Sequence, residues 1–415
     1  MTNTTSLLAL ADQCVKCGLC LPQCPTYTLN LNENESPRGR ISLIQALAEK
    51  QLDASNILLA HLDHCLLCRR CERVCPSQVK YGEIIQQARS KIPALKPNTS
   101  VLGRFGLWFI EKPQRQAQLR KLLRFYQRSG LQWMLRKTRL LTLLKLNQIE
   151  RRLPDIQPAF KLSTGIINSE KTIANKKSIA LFTGCTQTLF DSNAITSAYQ
   201  LLTRLGYNVI TPEEQVCCGA LHNNQGFTAK SQRLLKTNDN VFTQALYQTG
   251  FEKILYLSTG CGAFISEQKN ESDSFERFEE ITDFILQDKA LAKLKFKPLL
   301  PLFNNVAVHL PCSQKNVLRQ DNSAFKLLQH IPHITLHNLE QSGCCGAGGS
   351  TMVTHPEIAD QIRQPLVDNI TQQNCNLVVT TNPGCQLHLQ QGFNAKNTHM
   401  QVIHPITLLA QQLEA

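Results

Sequence analysis

Cys14-x2-Cys17-x2-Cys20-x3-Cys24-Pro25 recurs as Cys65-x2-Cys68-x2-Cys71-x3-Cys75-Pro76, with the same spacing and the same trailing proline. No other feature limits the fold as tightly, because eight thiols so spaced have to converge on metal. A [4Fe-4S] cube needs four thiolates, and the tight x2 turns bring three neighbouring sulfurs onto one cube. The fourth cysteine of each run lies too far along to close that cube. Pro25 and Pro76 withhold a backbone N–H and turn the chain away just after it. Zinc knuckles and disulfides are the plainer alternatives. Zinc sites usually pair C-x2-C units without the third and fourth cysteines, so both are set aside.

In two-cluster ferredoxins the fourth cysteine of a run ligates the other cluster. This pattern assigns Cys14, Cys17, Cys20 and Cys75 to one cube, and Cys65, Cys68, Cys71 and Cys24 to the other. The forty residues between Cys24 and Cys65 suit an all-helical ferredoxin domain rather than a small β-type one. Within them Ser36 precedes Pro37 as an N-cap, with proline at the first helical position. Ile41, Ile44, Leu47 and Ala48 then share one helix face. Arg38 and Arg40 either hydrogen-bond the anionic clusters or form a solvated basic first turn.

The 415 residues predict two or three domains, and the 17 cysteines fall in metal-ligand clusters, which points to a reducing cytosol. The N-terminus lacks the basic start of a signal peptide. No apolar run approaches a membrane span, so membrane contact would be peripheral. The net charge of +13 is concentrated: thirteen Lys/Arg against Glu111 and Glu150 between Arg104 and Arg152 carry +11 of it. There Leu119, Leu122, Leu123 and Tyr126 make an apolar stripe, with Arg120, Lys121, Arg124 and Arg128 elsewhere on the wheel. Such a helix, with Trp108 and Trp133 in the same segment, either lies on an anionic membrane or packs on its own protein. Residues 153–176 read as a linker.

From Lys177 the chain repeats itself. Ile179–Thr183 is a strand ending at Gly184-Cys185, and Val306–Leu310 ends at Pro311-Cys312. Cys217-Cys218-Gly219 recurs as Cys344-Cys345-Gly346, and the strands Ile254–Ser258 and Leu377–Thr381 lead to Cys261 and Cys385. The offset is 127 residues for the first three cysteines and 124 for the last. That is a duplication. Helical stretches near Asn193–Leu205, Thr228–Tyr247, Ala324–His330 and Ile358–Gln372 alternate with the strands, giving α/β units with parallel sheets. Each cysteine site falls at a strand's carboxyl end, where open α/β sheets bind ligands. Gly219 and Gly346 let the backbone bend beside adjacent cysteines. Cys375 is left over and reads as a core residue.

The assembled pattern resembles the iron-sulfur subunit of bacterial glycolate oxidase. The resemblance spans essentially the whole chain and is carried by Ser-Pro-Arg-Gly-Arg-Ile at 36–41, Thr-Gly-Cys-Gly-Ala-Phe at 259–264 and Asn-Pro-Gly-Cys-Gln-Leu-His at 382–388. It implies an α+β multidomain protein: an all-helical two-cluster ferredoxin domain (1–95), a basic connector (96–176) and two α/β CCG repeats (177–290 and 303–415). It also implies electron transfer from FAD-linked partner subunits that oxidise glycolate, with D-lactate as a neighbouring substrate. The expected cofactors are two [4Fe-4S] clusters, with one or two more at Cys185, Cys217, Cys218 and Cys261 and at Cys312, Cys344, Cys345 and Cys385. No flavin is expected on this chain, since the glycines at 343–349 are explained by the cysteine site. The expected location is the cytoplasm, with peripheral contact at the inner face of the membrane. Iron-sulfur components of lactate utilisation, glycerol-3-phosphate dehydrogenase and heterodisulfide reductase share the architecture. In the last of these each repeat closes with C-x2-C, whereas here the closing positions are Phe264, which cannot ligate iron, and His388, which has a ligating ring. A catalytic CCG half and a nucleic-acid-binding role for the basic segment are the other classes weighed, and the second would leave both duplicated sites idle.

Overall fold

The computed structural model describes residues 7–92, 95, 101–138, 140–143, 150, 153–156, 177–268, 272–339 and 343–414. Its first part is helical, with helices Leu7–Ala11, Pro25–Asn30, Pro37–Ala48, Asn56–Asp63, Arg70–Arg73 and Tyr81–Lys91. Ser36 caps the third of these by accepting from Gly39 N at 2.9 Å, and Ile41, Ile44 and Leu47 are buried along it. They meet Leu62, Ile84, Ile85 and Ala88 in one core with cysteines of both runs at its margin.

The connector forms helices Val101–Ile110, Pro113–Arg128 and Leu131–Lys137. Of the expected stripe Leu119, Leu123 and Tyr126 are half-buried and Leu122 is 60% exposed, while Gln116 and Arg120, spaced i, i+4, are buried as well. The helix lies beside helix Thr186–Phe190 of the next unit. Burial lowers the pKa of Arg120, and Arg124 adds to the effect. Among the residues expected to form a linker, Ile156 is fully buried and donates its N–H to Gln127 Oε1 at 3.0 Å. Positions 157–176 lie outside the described residues.

Two four-stranded parallel sheets follow. The first has the order β2-β1-β3-β4, with β1 Ser178–Phe182, β2 Asn208–Ile210, β3 Ile254–Tyr256 and β4 Phe278–Glu280. The second has the order β6-β5-β7-β8, with β5 Asn305–His309, β6 Thr335–Asn338, β7 Leu377–Thr380 and β8 Gln401–Ile403. In each unit the central pair is the strand that leads to the first cysteine and the strand that leads to the last. β1 and β3 pair Ala180 with Ile254, and β5 and β7 pair Ala307 with Val378.

Side chains alternate across both sheets with period two. Ile179, Leu181, Leu255, Val306, Val308, Leu377 and Val379 face one common core, while Ala180, Phe182 and Tyr256 face another on the far side of the first sheet. Ala307 and Val378 face the far side of the second. The shared core is filled by helices Ser192–Arg204 and Ile281–Gln287 of the first unit against Pro405–Gln412 and Ser323–Leu328 of the second. The two sheets are thus built back to back on one apolar layer, and their cysteine-bearing ends are fixed relative to each other.

Leu201 and Leu327 are fully buried in that layer, one from each unit. Leu201→Ala and Leu327→Ala are each expected to cost about 2–5 kcal/mol in denaturant unfolding. Because the layer is shared, each variant should retain a single cooperative transition for both sheets. Two resolved transitions would contradict the shared core.

Candidate iron-sulfur centres

All 17 cysteines are free thiols. The two runs curl alike. Lys16 and Gly18 in the first and Leu67 and Arg69 in the second all have φ between 51° and 87°. Gly18 is the position where a side chain would collide, since a Cβ there would lie 2.9 Å from Arg38 Nη1. Arg38 donates from Nη1 to Lys16 O at 2.8 Å and pairs with Glu33, so it braces the first loop from the surface. Cys17 is exposed, while Cys14, Cys20 and Cys75 are half-buried. Burial raises the Cys20 thiol, and Cys14 and Cys17 add to the rise.

The second run is deeper. Cys24, Cys65 and Cys71 are buried. Burial drives the Cys71 thiol well above its ordinary range, and the neighbouring thiols of Cys68, Cys65 and Cys24 push it further. Cys24 thus lies near thiols of the other run, and Arg40 stands beside both it and Cys65. Arg40 is 1% exposed, with Nη1 3.0 Å from Thr26 Oγ1 and 4.0 Å from Cys24 Sγ. Its Nη2 donates to Glu35 Oε2 at 2.5 Å, and Glu35 Oε1 meets His61 Nδ1 at 2.6 Å and His64 Nδ1 at 2.8 Å. Of the two readings open for these arginines, Arg40 is the buried partner of a cysteine set, and Arg38 is the half-exposed brace.

In the first CCG unit Cys185 follows β1, Cys261 lies in helix Thr259–Ser266 after β3, and Cys217 and Cys218 come from the loop between β2 and helix Ala220–Asn224. The Sγ atoms of Cys217 and Cys185 are 3.3 Å apart, as are those of Cys218 and Cys261. Hydrogen bonds with Cys185 and Cys218 hold Cys217 well below the ordinary thiol range, whereas the same contacts drive Cys185 and Cys218 upward. Asn238 clamps the loop by accepting from Val216 N and donating to Cys217 O. Gly219 has φ +91°, and a Cβ there would lie 2.7 Å from Ser231 Oγ. Phe264 is buried in the core beneath β1 and β3.

In the second unit Cys345 and Cys385 approach to 2.7 Å between sulfurs. The Cys344 thiol is raised well above its ordinary value by its hydrogen bond to Cys345 and by burial. Burial also raises Cys312, with Cys344 and Cys68 adding to it. Gly346 has φ +72°, and a Cβ there would sit 2.3 Å from Ala359 O. His388 has both ring nitrogens engaged: Nδ1 lies 2.7 Å from Cys345 O and Nε2 3.0 Å from Asp360 Oδ1. Its ring orients the Cys344-Cys345 loop. Cys375 is 3% exposed in the core behind β7, and burial lifts its thiol to about 11.

The buried set of the helical domain and the second CCG set are neighbours. Burial lifts Cys68 to about 12, and Cys344 is the next cause. Arg70 stands between the sets, with Nη2 donating to Gly343 O at 2.7 Å. Burial disfavours its charge, but the thiols of Cys344, Cys68, Cys312 and Cys345 outweigh that and raise its pKa. Asn316 Nδ2 donates to Cys68 O at 2.8 Å across the same junction, and Leu66 and Cys68 pack with Cys344 and Ile362. The first CCG unit holds the helical domain through ion pairing of Arg69 with Glu267 and a bond from Arg89 to Asn224 O. Sequence reading missed Arg70 and the Glu35 network, because their partners lie far along the chain or carry no cysteine.

The donor sets suit iron-sulfur clusters. They are thiol-rich, free of disulfides, buried or half-buried except at Cys17, and flanked by arginines that offset thiolate charge. Fold and site together define a class: an iron-sulfur protein with a helical dicluster domain joined to a duplicated cysteine-rich domain. Residues 10–79 match the 4Fe-4S dicluster domain family, and 179–266 and 306–390 match the cysteine-rich CCG domain. Residues 99–153 match the linker region of glycolate oxidase iron-sulfur subunits. The chain is 31% identical to the probable glycolate oxidase iron-sulfur subunit of Bacillus subtilis, over 96% of this chain and 93% of that one. It is 28% identical to the Escherichia coli glycolate oxidase iron-sulfur subunit, over 97% and 94%. A heterodisulfide reductase chain of Methanosarcina acetivorans is 23% identical over 97% and 94%. The chain belongs to the family of glycolate oxidase iron-sulfur subunits.

The position of Cys24 has a direct consequence. Cys24→Ser is expected to deplete iron from the set of Cys65, Cys68 and Cys71, and Cys75→Ser from the set of Cys14, Cys17 and Cys20. Electron paramagnetic resonance (EPR) spectra of the two variants should lose different signals. Loss of the same-run signal in each case would show that the ligands are not crossed.

Proposed function

We propose that this chain is the electron-carrying subunit of a flavin-dependent 2-hydroxy-acid dehydrogenase that oxidises glycolate to glyoxylate, with D-lactate as a second substrate. The hydride goes to an FAD on partner subunits. The observation that carries this reading is full-length similarity to glycolate oxidase iron-sulfur subunits, joined to the contact between two cysteine sets at Arg70. Bound iron-sulfur clusters supply single-electron transfer, which allows a two-electron flavin to be reoxidised in steps. In this reading residues 1–95 hold two [4Fe-4S] clusters on Cys14, Cys17, Cys20 and Cys75 and on Cys24, Cys65, Cys68 and Cys71. The units at 177–290 and 303–415 hold further clusters on Cys185, Cys217, Cys218 and Cys261 and on Cys312, Cys344, Cys345 and Cys385.

The residues divide the work by burial. Exposed Cys17 marks the edge through which electrons enter or leave the helical domain. Arg40 and Arg70 bring positive charge to buried thiols that repel one another, and so hold the sets together at close range. Asn238 and His388 fix the CCG loops so that the thiol geometry is set before metal arrives. The heterodisulfide reductase reading is weaker, because Phe264 packs in the core and His388 spends both nitrogens on protein partners.

Purified alone, the chain is expected to contain iron and sulfide without flavin, and to leave glycolate and D-lactate unchanged. With the flavoprotein subunits present, substrate should bleach the flavin, and reoxidation should run through this chain to a distal acceptor. Cys217→Ser or Cys344→Ser should slow that reoxidation while the signals of the helical domain persist. Oxidation of either acid by the isolated chain would overturn the assignment.

The connector suits peripheral attachment to the inner face of an anionic cytoplasmic membrane. Among the described residues no helix is long and apolar enough to cross a membrane. Phe105, Trp108, Leu122, Phe125, Trp133 and Leu143 are nevertheless exposed, within the segment that carries most of the positive charge. Cosedimentation with phosphatidylserine vesicles should exceed that with neutral vesicles and fall as salt rises, since exposed charges are screened over about 8–10 Å near physiological ionic strength. Phe125→Ser with Trp133→Ser should weaken it further. Equal binding to neutral vesicles, or none to either, would assign attachment to a partner instead.

A further inference from the structure

The two CCG units are not chemically equivalent. β1 ends Ile179-Ala-Leu-Phe182, and β5 ends Val306-Ala-Val-His309. Phe182 packs against Phe242 and Phe278, as an inward residue of a buried strand should. At the same place in the second sheet stands His309, 5% exposed. An imidazole there costs desolvation that a phenyl ring does not, unless both nitrogens find partners. One is accounted for: Nδ1 lies 3.0 Å from Thr380 Oγ1 on the neighbouring strand β7, which fixes the ring plane. The ring also brings a nitrogen into a cluster with Cys345 Sγ and Cys385 Sγ, all three donor atoms within 4.8 Å of one another.

We propose that His309 is an iron ligand of the second CCG centre, completing the set of Cys312, Cys344, Cys345 and Cys385. The inference rests on the reading above that this set holds a cluster. His309 supplies the donor that the closing position of the repeat lacks. His388, the histidine at that position, has Nδ1 on Cys345 O and Nε2 on Asp360. With Nδ1 held by Thr380, Nε2 is the nitrogen left for iron, and a ring oriented through one nitrogen while the other binds is the usual arrangement of a metal-bound histidine. Exchange of an anionic thiolate for a neutral imidazole raises the potential of an iron-sulfur centre, as in Rieske centres. The second centre would then be the higher-potential member of the duplicated pair, and it is the one beside Cys68 and Arg70.

The test is pulsed EPR on full-length protein labelled with 15N-histidine, together with iron quantification. Wild type should show a strong histidine-nitrogen coupling on one reduced centre. His309→Phe and His309→Cys should lose it, and His309→Cys should retain iron with a lower midpoint potential. Iron beyond two cubes but no nitrogen coupling in wild type would overturn the ligand assignment and leave the relay reading intact. Coupling that persists in both variants would assign the ligand to another histidine. Iron for two cubes only would overturn both the ligand assignment and the reading that the second CCG set carries a cluster. The wild-type spectrum decides the question even if a variant fails to fold.

Discussion

Crowding of thiol groups in buried sites is the constraint on which the rest of the molecule depends. A thiolate in a low-dielectric site is costly, and several together are more so. Burial and mutual proximity push Cys71, Cys185, Cys218 and Cys344 well above the ordinary thiol range. Cations relieve this locally. Arg40 reaches Cys24 from the helical domain, and Arg70 stands where Cys68 meets Cys344 and Cys312. Arg40 is itself held by Glu35, a buried ion pair whose breakage would leave one charge uncompensated. The folding of the helical domain and its capacity to hold metal are therefore coupled through the same few side chains.

The duplicated units meet a different requirement. Parallel strands place loop and helix termini together at one sheet end, and the shared apolar layer fixes the two ends relative to each other. Contacts across the unit boundary complete the arrangement. Thr259 N donates to Thr381 O at 3.1 Å, and His404 Nε2 lies 3.0 Å from Leu257 O. The helical domain docks on both units, and among the described residues Arg70 links its buried thiols to those of the second. Sequence symmetry thus coexists with structural asymmetry.

Local spacing made much of this legible from sequence. The cysteine runs, the Ser36 cap, the alternation in β1 and β5 and the helix at 228–249 all depend on residues close in the chain. What escaped depends on partners far apart. Arg70 is 273 residues from Gly343, and Asn316 is 248 from Cys68. In the connector the stripe missed the burial of Gln116 and Arg120 and the exposure of Leu122, which no periodicity within the helix reveals. His388 stood out as a spare ligand because it occupies a cysteine position. Only tertiary structure shows that Cys345 O and Asp360 use both its nitrogens, and that His309, hidden in a strand, faces the thiols.

In the proposed electron path the buried centre of the helical domain exchanges electrons with the second CCG centre rather than the first, because Arg70 and Asn316 join those two sets. Electron spin relaxation of the fully reduced protein measures this directly, because neighbouring paramagnetic centres accelerate one another's relaxation. The signal of the set containing Cys65, Cys68 and Cys71 should relax more slowly in Cys344→Ser and be unchanged in Cys217→Ser. A signal slowed by Cys217→Ser and indifferent to Cys344→Ser would contradict it.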